Sequence, residues 1–377
     1  MNEPTDLSES AAPTQEASQH RGYSQGKFAK KKGKKKHRWL RVLIIILCVI
    51  AALLVAAVAA YVILYKSGQK SMTSYDNVAV DFPQSNEKVL SQNNGKTVVY
   101  NGHTYTLNEN IASILFIGVD KRQLANTQQI GENGQGDCIL LVAMDTVTGK
   151  ANIVSISRDA YAEVDLYSAD GNYIGTDMTQ LCLAYSYGDG RQTSCENMTK
   201  SVSRLLYGLP INYYFALDMD GIIEANDAVG GVTLTSISDL TLSDGTKLHK
   251  GDSVTLRGKN AERYIRSRDF EALDANVERM ARQKQYVQAF ASVVTQKSKE
   301  DLTVPVTLFQ TLSPYMVTNL SVDTVTFLAT CYLRNGASFD FLSIDADIQE
   351  VDGHAMYYLN EDSLYEAILT AFYTQVD

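Results

Sequence analysis

The sequence predicts an α/β protein: an α/β/α sandwich with a central mixed sheet, preceded by one transmembrane helix. Three observations carry this. Val42–Leu64 is a run of 23 residues without a charge, long enough at about 1.5 Å per residue to cross a hydrocarbon core of roughly 30 Å. Beyond it, ILFIGVD (114–120), DCILLVAMD (137–145) and ANIVSIS (151–157) are apolar almost throughout, as strands are when both sheet faces are covered. Amphipathic, capped helical segments follow these strands.

The span sets the organisation. Residues 1–38 read as a disordered, basic cytoplasmic tail, 39–65 as the transmembrane helix and 66–109 as an extracellular linker or accessory segment. Residues 110–298 form the main domain, and 299–377 an extension that packs on it or continues it. Ten Lys and Arg, from Arg21 to Arg41, precede the span, and only Lys66 and Lys70 follow it closely. The positive-inside rule then gives a single-pass type II protein of the cell membrane, its carboxyl-terminal domain extracellular. A cleaved signal peptide has a shorter apolar region nearer the start. Attraction to anionic membrane lipid accounts for the basic run without invoking nucleic acid.

From Lys66 onward there are 39 Asp and Glu against 24 Lys and Arg, a net charge of −15. Such an exterior disfavours nonspecific nucleic-acid binding, so an anionic ligand needs a local arginine cluster. Cys182 and Cys195 are the expected disulfide pair if one forms, while Cys138, inside an apolar run, reads as a core residue. No CxxC or HExxH motif is present, which argues against zinc.

Element by element, Asn101-Gly102 marks a hairpin, and Thr148-Gly149 joins the strands at 137–145 and 151–157. MTQLCLAYSYG (178–188) reads as a helix. Thr193 with Glu196 reads as the capping box of a second helix running to Gly208. YYFALDM (213–219) returns as a strand, followed by helices at 220–231, 258–268 and roughly 276–295. Further helices are expected near 321–333 and 363–373.

Charges collect where the strands end. Asp120 closes one strand, Asp137 opens the next, and Arg158 and Asp159 follow the third. Strand ends form the binding crevice of open α/β sheets. Carboxylates and guanidiniums meeting there suit Mg²⁺ held against a diphosphate, although an Asp at a strand end also serves simply as a turn former. Arg257, Arg263, Arg266, Arg268, Arg279 and Arg282 lie within 26 residues. Spacing alone also allows a solvated face paired with Glu262, Glu271 and Glu278.

At these residues the chain resembles the LytR-CpsA-Psr family of bacterial envelope proteins. The likeness covers about 110–298 and rests on ILFIGVDKR, GDCILLVAMDTVTGKANIVSISRDAYAEV, MTQLCLAYSYG, YYFALDMDGIIEANDAVGGV and LRGKNAERYIRSRDFEALDANVERMARQKQYVQAF, in this order behind a span. The resemblance implies a sandwich enclosing an apolar pocket for a polyprenyl chain. It also implies transfer of an anionic glycopolymer from its polyprenyl-pyrophosphate carrier to a wall acceptor, usually a peptidoglycan hydroxyl. By position, Asp120 and Asp137 would coordinate Mg²⁺, with Mn²⁺ as a substitute. Arg158, Arg266 and Arg268 would bind the pyrophosphate, Arg279 and Gln283 would line the head-group site, and Arg122 and Arg282 are further binding candidates. Asp159, Asp274 or the metal alone would activate the acceptor.

The chain departs from the family pattern in Gly136-Asp137-Cys138 for Ser-Asp-Thr, Ser157 for a proline, and Asn276 for an aspartate three residues before Arg279. A lipid-pyrophosphate hydrolase needs the same residues, and a non-catalytic envelope-binding or regulatory protein is the third reading. Wall teichoic acid, capsule and other wall polysaccharides all remain compatible as cargo.

Overall fold

In the computed structural model of the chain, residues 35–71, 79–83, 89–124, 130–267 and 275–377 are described. The predicted disordered tail up to residue 34, and Arg268 and Asp274, lie outside the described residues. The chain divides into two units, Met1–Ala57 and Val58–Asp377. Helix α1 (Lys35–Lys70) contains the apolar run and is long and apolar enough to cross a membrane.

The second unit is built on a six-stranded sheet. Its strands are β1 (Ile111–Val119), β2 (Gly136–Asp145), β3 (Ala151–Ile156), β4 (Tyr213–Leu217), β5 (Met316–Thr318) and β6 (Phe339–Ser343), in the order β5-β4-β1-β2-β3-β6. β1 runs antiparallel to β2 and parallel to β4; β2–β3 and β4–β5 are antiparallel and β3–β6 parallel. The sheet is therefore mixed, as the sequence predicts. Its two outer strands come from the carboxyl-terminal eighty residues, so that extension completes the sheet. The segment before Asn110 also joins in. Strands Val89–Gln92, Thr97–Tyr100 and His103–Leu107 form a second sheet with Tyr373–Gln375, and Asn101-Gly102 is its hairpin turn, both residues at positive φ.

Side chains alternate across the central sheet. Leu115, Ile117, Ile139, Leu141 and Val154 point into a sealed core with helices α3 (Gln192–Leu205) and α9 (Glu361–Phe372). The opposite face meets α4 (Met219–Ala228), α6 (Ala275–Glu300), α7 (Val304–Leu312) and α8 (Val322–Arg334). Asn360 caps α9 by accepting from Ser363 N at 2.9 Å, and Asp218 caps α4 by accepting from Gly221 N at 2.8 Å.

Three local expectations need correction. Residues 178–180 end a strand, Tyr173–Gln180, paired antiparallel with Tyr161–Tyr167, so the helix there shrinks to α2 (Leu183–Ser186). Cross-strand pairing and the β-branched Ile174, Thr176 and Thr179 outweigh a helical pattern only a few residues long. Thr193 lies inside α3 and makes no cap; Ser194 Oγ and Asp189 instead satisfy the turn before it, accepting from Gly190 N at 2.8 Å and Arg191 N at 2.8 Å. Cys182 and Cys195 are buried free thiols: Cys182 sits against Arg158 and Cys195 packs in the sealed core.

Candidate active site

The face of the sheet turned toward α4, α6, α7 and α8 is not filled. A cavity of about 400 Å³ lies between them. Phe116 and Gly118 of β1, Cys138, Leu140 and Val142 of β2, and Ile153 of β3 form its floor. Tyr286 and Phe290 of α6, Leu308 of α7 and Val325 of α8 stand among its walls. Gly118 faces Cys138, so close that a side chain there would meet the Cys138 Cβ at 2.9 Å. Burial pushes the Cys138 thiol up to about 12, which leaves it a neutral apolar lining residue rather than a nucleophile.

At one end this apolar space meets charge: Asp120, Asp137, Arg266, Arg279 and Gln283 line it there. Asp120 follows β1 and Asp137 is the second residue of β2, so antiparallel pairing of the two strands brings them to the same end of the sheet. The intervening loop returns through Gly134, at φ +87°, whose hypothetical Cβ would stand 2.8 Å from Asp120 Oδ1. Only glycine fits that approach without strain. Gln135 then donates its backbone N–H to Asp120 Oδ1 at 2.6 Å, and its side-chain oxygen accepts from Arg158.

Behind this end five side chains close a ring. Asp137 accepts from Arg158 through one oxygen and from Arg279 Nη1, at 3.2 Å, through the other. Arg158 Nε donates to Asp159 Oδ1 at 3.2 Å. Asn276 Nδ2 donates to Asp159 Oδ2 at 2.8 Å, while Asn276 Oδ1 accepts from Arg279 Nη2 at 2.8 Å and Nε at 3.1 Å. Gln180 Nε2 adds a bond to Asp159 Oδ1 at 3.0 Å. Asp159, Asn276 and Arg279 are buried. Such charges persist out of water only when each is matched, and here two carboxylates face two guanidiniums. Burial pushes the Asp159 carboxyl above its ordinary range, opposed by the pull of Arg158 and Arg279.

The remaining predicted residues lie differently. Arg266, at the end of α5 (Lys259–Arg266), reaches the cavity and donates to Glu262 at 3.1 Å. Arg122 shares Glu262, at 2.9 Å, and pairs with Asp220 at 2.7 Å, outside the lining. Those bonds, Asp220 first, raise its already high pKa. Arg282 is turned away from the cavity. It donates to Tyr264 O at 3.0 Å, Ser238 Oγ at 3.0 Å and Ser267 O, so it holds the end of α5 in place. Neither Arg158 nor Asp159 lines the cavity: Arg158 stands behind Asp137, and Asp159 behind Arg158. Gln135, Gln180 and Glu262, not foreseen as site residues, supply bonds that fix the arginines. Neutral or paired side chains of this kind carry no sequence signal of their own.

Among the described residues no group of three or more His, Cys, Asp or Glu is arranged to hold a metal. Mg²⁺ nevertheless asks for only one or two carboxylates and completes its octahedron with water and phosphate oxygens. Asp120 and Asp137, on one edge of the cavity, fit that demand.

Known proteins share this architecture. The chain is 25% identical over 252 residues to the polyisoprenyl-teichoic acid–peptidoglycan teichoic acid transferase TagU of Oceanobacillus iheyensis, covering 67% of this chain and 72% of that one. It is 25% identical to the TagU of Bacillus licheniformis, over 67% and 74%. Among solved structures, B. subtilis TagV superposes with a TM-score of 0.55 at 23% identity, covering 70% of this chain and 97% of that one. TagT bound to LI-WTA gives 0.53 at 21%, covering 70% and 90%. At such identities the likeness of the structures is one of fold. The model of the LytR_cpsA_psr family matches residues 61–371, nearly the whole second unit. With the acidic pair and the arginines where the apolar cavity meets the strand ends, the chain belongs to the LytR-CpsA-Psr family.

Proposed function

We propose that the protein is a phosphotransferase that moves an anionic glycopolymer from a polyprenyl-pyrophosphate carrier to a cell-wall acceptor, peptidoglycan first. The observation that carries this reading is the continuity of an apolar cavity with a buried arginine–carboxylate edge. A lipid diphosphate has the same two-part chemistry. The TagU relatives are named for moving teichoic acid from a polyisoprenyl carrier to peptidoglycan, which makes teichoic acid the first cargo to test.

In this reading the polyprenyl tail occupies the apolar space, and Arg158, Arg266 and Arg279 present guanidinium forks to the diphosphate, with Gln283 beside them. The acceptor hydroxyl attacks the phosphorus nearer the sugar. A new P–O bond forms, the bond to polyprenyl phosphate breaks, and that leaving phosphate carries away the proton. Phosphoryl transfer with a loose transition state asks for positioning and charge more than for a strong base. Asp159 therefore serves to aim Arg158 and Asn276. Asp120 and Asp137 would hold Mg²⁺, or Mn²⁺ in its place, which when bound supplies positive charge against the diphosphate. The span, with its basic leader, keeps the domain on the outer face as a type II protein, at the membrane that holds the carrier.

The test is incubation of the purified full chain with a lipid-diphosphate glycan, peptidoglycan oligomers and Mg²⁺. A phosphodiester-linked product identified by mass supports transfer. Soluble polymer phosphate released while acceptor is abundant would mean a hydrolase, and no turnover by an Mg²⁺-loaded, donor-binding protein would mean a binding role.

A further inference from the structure

From the end of the cavity remote from the charges, an apolar cluster leads to the last turns of α1. Asp137 and Val142 both line the cavity and stand five residues apart on β2, roughly 17 Å at the rise of an antiparallel strand. Val142 also belongs to a cluster with Phe327, Leu328 and Tyr65, the last of which follows the apolar run directly. Apolar contact thus continues from the end of the membrane-length helix to the cavity interior.

Polar bonds and close packing fix this joint. Ser67 Oγ donates to Asp323 Oδ2 at 2.5 Å, Tyr61 OH meets Thr330 Oγ1 at 3.1 Å, and the Tyr65 and Phe327 rings lie 5.2 Å apart. Between them Gly68 lies so near α8 that a Cβ would stand 2.7 Å from Phe327 Cβ and nearer still to the Asp323 carbonyl. The same helix carries Val325 into the cavity wall. A polar surface turn would suffice for a simple tether. A glycine-tight seam whose Tyr65–Phe327 ring pair joins the apolar cluster holding Val142 is what a helix needs to keep a greasy chain against α8 on its way in.

Resting on the transferase reading, we propose that the seam between the end of α1 and α8 guides the polyprenyl tail from the bilayer into the cavity, with Gly68 as its positioning residue. The full chain and Gly68→Leu, in vesicles of neutral and anionic phospholipid, are compared on two donors with the same head group. One carries a long polyprenyl chain anchored in the bilayer, the other a farnesyl-length chain presented from water. Gly68→Leu is expected to lose about tenfold in kcat/KM on the anchored donor, mostly in KM, and to keep wild-type turnover on the short one. That retained turnover also shows the domain is folded. Ser67→Ala, a milder cut at the same seam, should lose about twofold to threefold on the anchored donor alone.

A long-chain polyprenyl phosphate bearing a photoreactive terminal group should label α8 and the end of α1 in the wild type, independent of turnover. Equal loss on both donors, no loss on either, or labelling confined to other helices overturns the proposal. If wild type is labelled at the seam but transfers neither donor, the transferase reading fails and the lipid path stands.

Discussion

Leu115, Ile117, Ile139, Leu141 and Val154 are sealed on one face of the central sheet, while their chain neighbours Phe116, Gly118, Cys138, Leu140 and Ile153 line an open cavity on the other. Residue types on the two faces are alike. The difference lies in what each face meets: α3 and α9 close down on the first, and α4, α6, α7 and α8 stand away from the second. The cavity is therefore built by helix placement, and composition cannot distinguish its apolar lining from a core. The candidate site lies where the open face reaches charged residues at the strand ends.

The sharpest break in this comparison is at that site. Arg158→Ala should cut transfer by about 10²–10³-fold, the cost of losing a preorganised donor to developing charge. Lysine should not rescue it, because one ammonium cannot serve Asp137, Asp159 and Gln135 together. Transfer kinetics and a thermal midpoint, measured side by side, decide it; activity within a factor of about three of wild type would remove Arg158 from the diphosphate site.

A second test uses two adjacent leucines. Leu141→Ala opens a void in a sealed core and should cost about 2–5 kcal/mol, while Leu140→Ala enlarges space that already exists and should cost at least about 1 kcal/mol less. Urea unfolding measures both. Equal losses would mean that the two faces are packed alike and that the cavity is no binding space.

Much of this was legible in advance. Uninterrupted apolar runs announced covered strands, and Asp120, Asp137 and Arg158 announced a strand-end site, because a charge next to such a run has few other places to go. The family likeness supplied the partners from α5 and α6. What stayed hidden depends on three-dimensional facing. Arg279 and Arg282 are three residues apart on α6, yet the first meets Asp137 and the second clamps the end of α5. The strand ending at Gln180 was hidden for another reason: no element was expected at Tyr161–Tyr167, its antiparallel partner, although Glu163-Val164-Asp165-Leu166 alternates polar and apolar residues.

The border between filled and open faces carries a titrating group. Asp218, 2% exposed at the start of α4, is pushed up to about 6, by burial foremost and against the bond from Gly221 N. Its folded pKa exceeds its unfolded value near 3.8, so the folded state holds the proton more tightly. The stabilisation is full below about pH 4 and is lost as pH rises toward 6. Asp218→Asn keeps a capping oxygen and should flatten that decline, with a gain of up to about 3 kcal/mol at neutral pH. Thermal midpoints across pH 4 to 7 that fall in parallel for both proteins would contradict it.

The smallest expected effect falls on Asn276, where the chain departs from the family aspartate. Its amide is read in both directions, donating to Asp159 and Ser157 while accepting twice from Arg279. A carboxylate keeps the second role and fails the first. Asn276→Asp would place an acid 2.8 Å from an Asp159 oxygen, so the two must share a proton or repel. Transfer should drop about tenfold at neutral pH and recover as pH falls and the pair takes up a proton. Asn276→Ala, which frees Arg279 without adding charge, should lose activity with a wild-type pH profile. If Asn276→Asp follows the wild-type profile as well, the amide does no more than fill space between Asp159 and Arg279, and the ring is not what aims the two arginines.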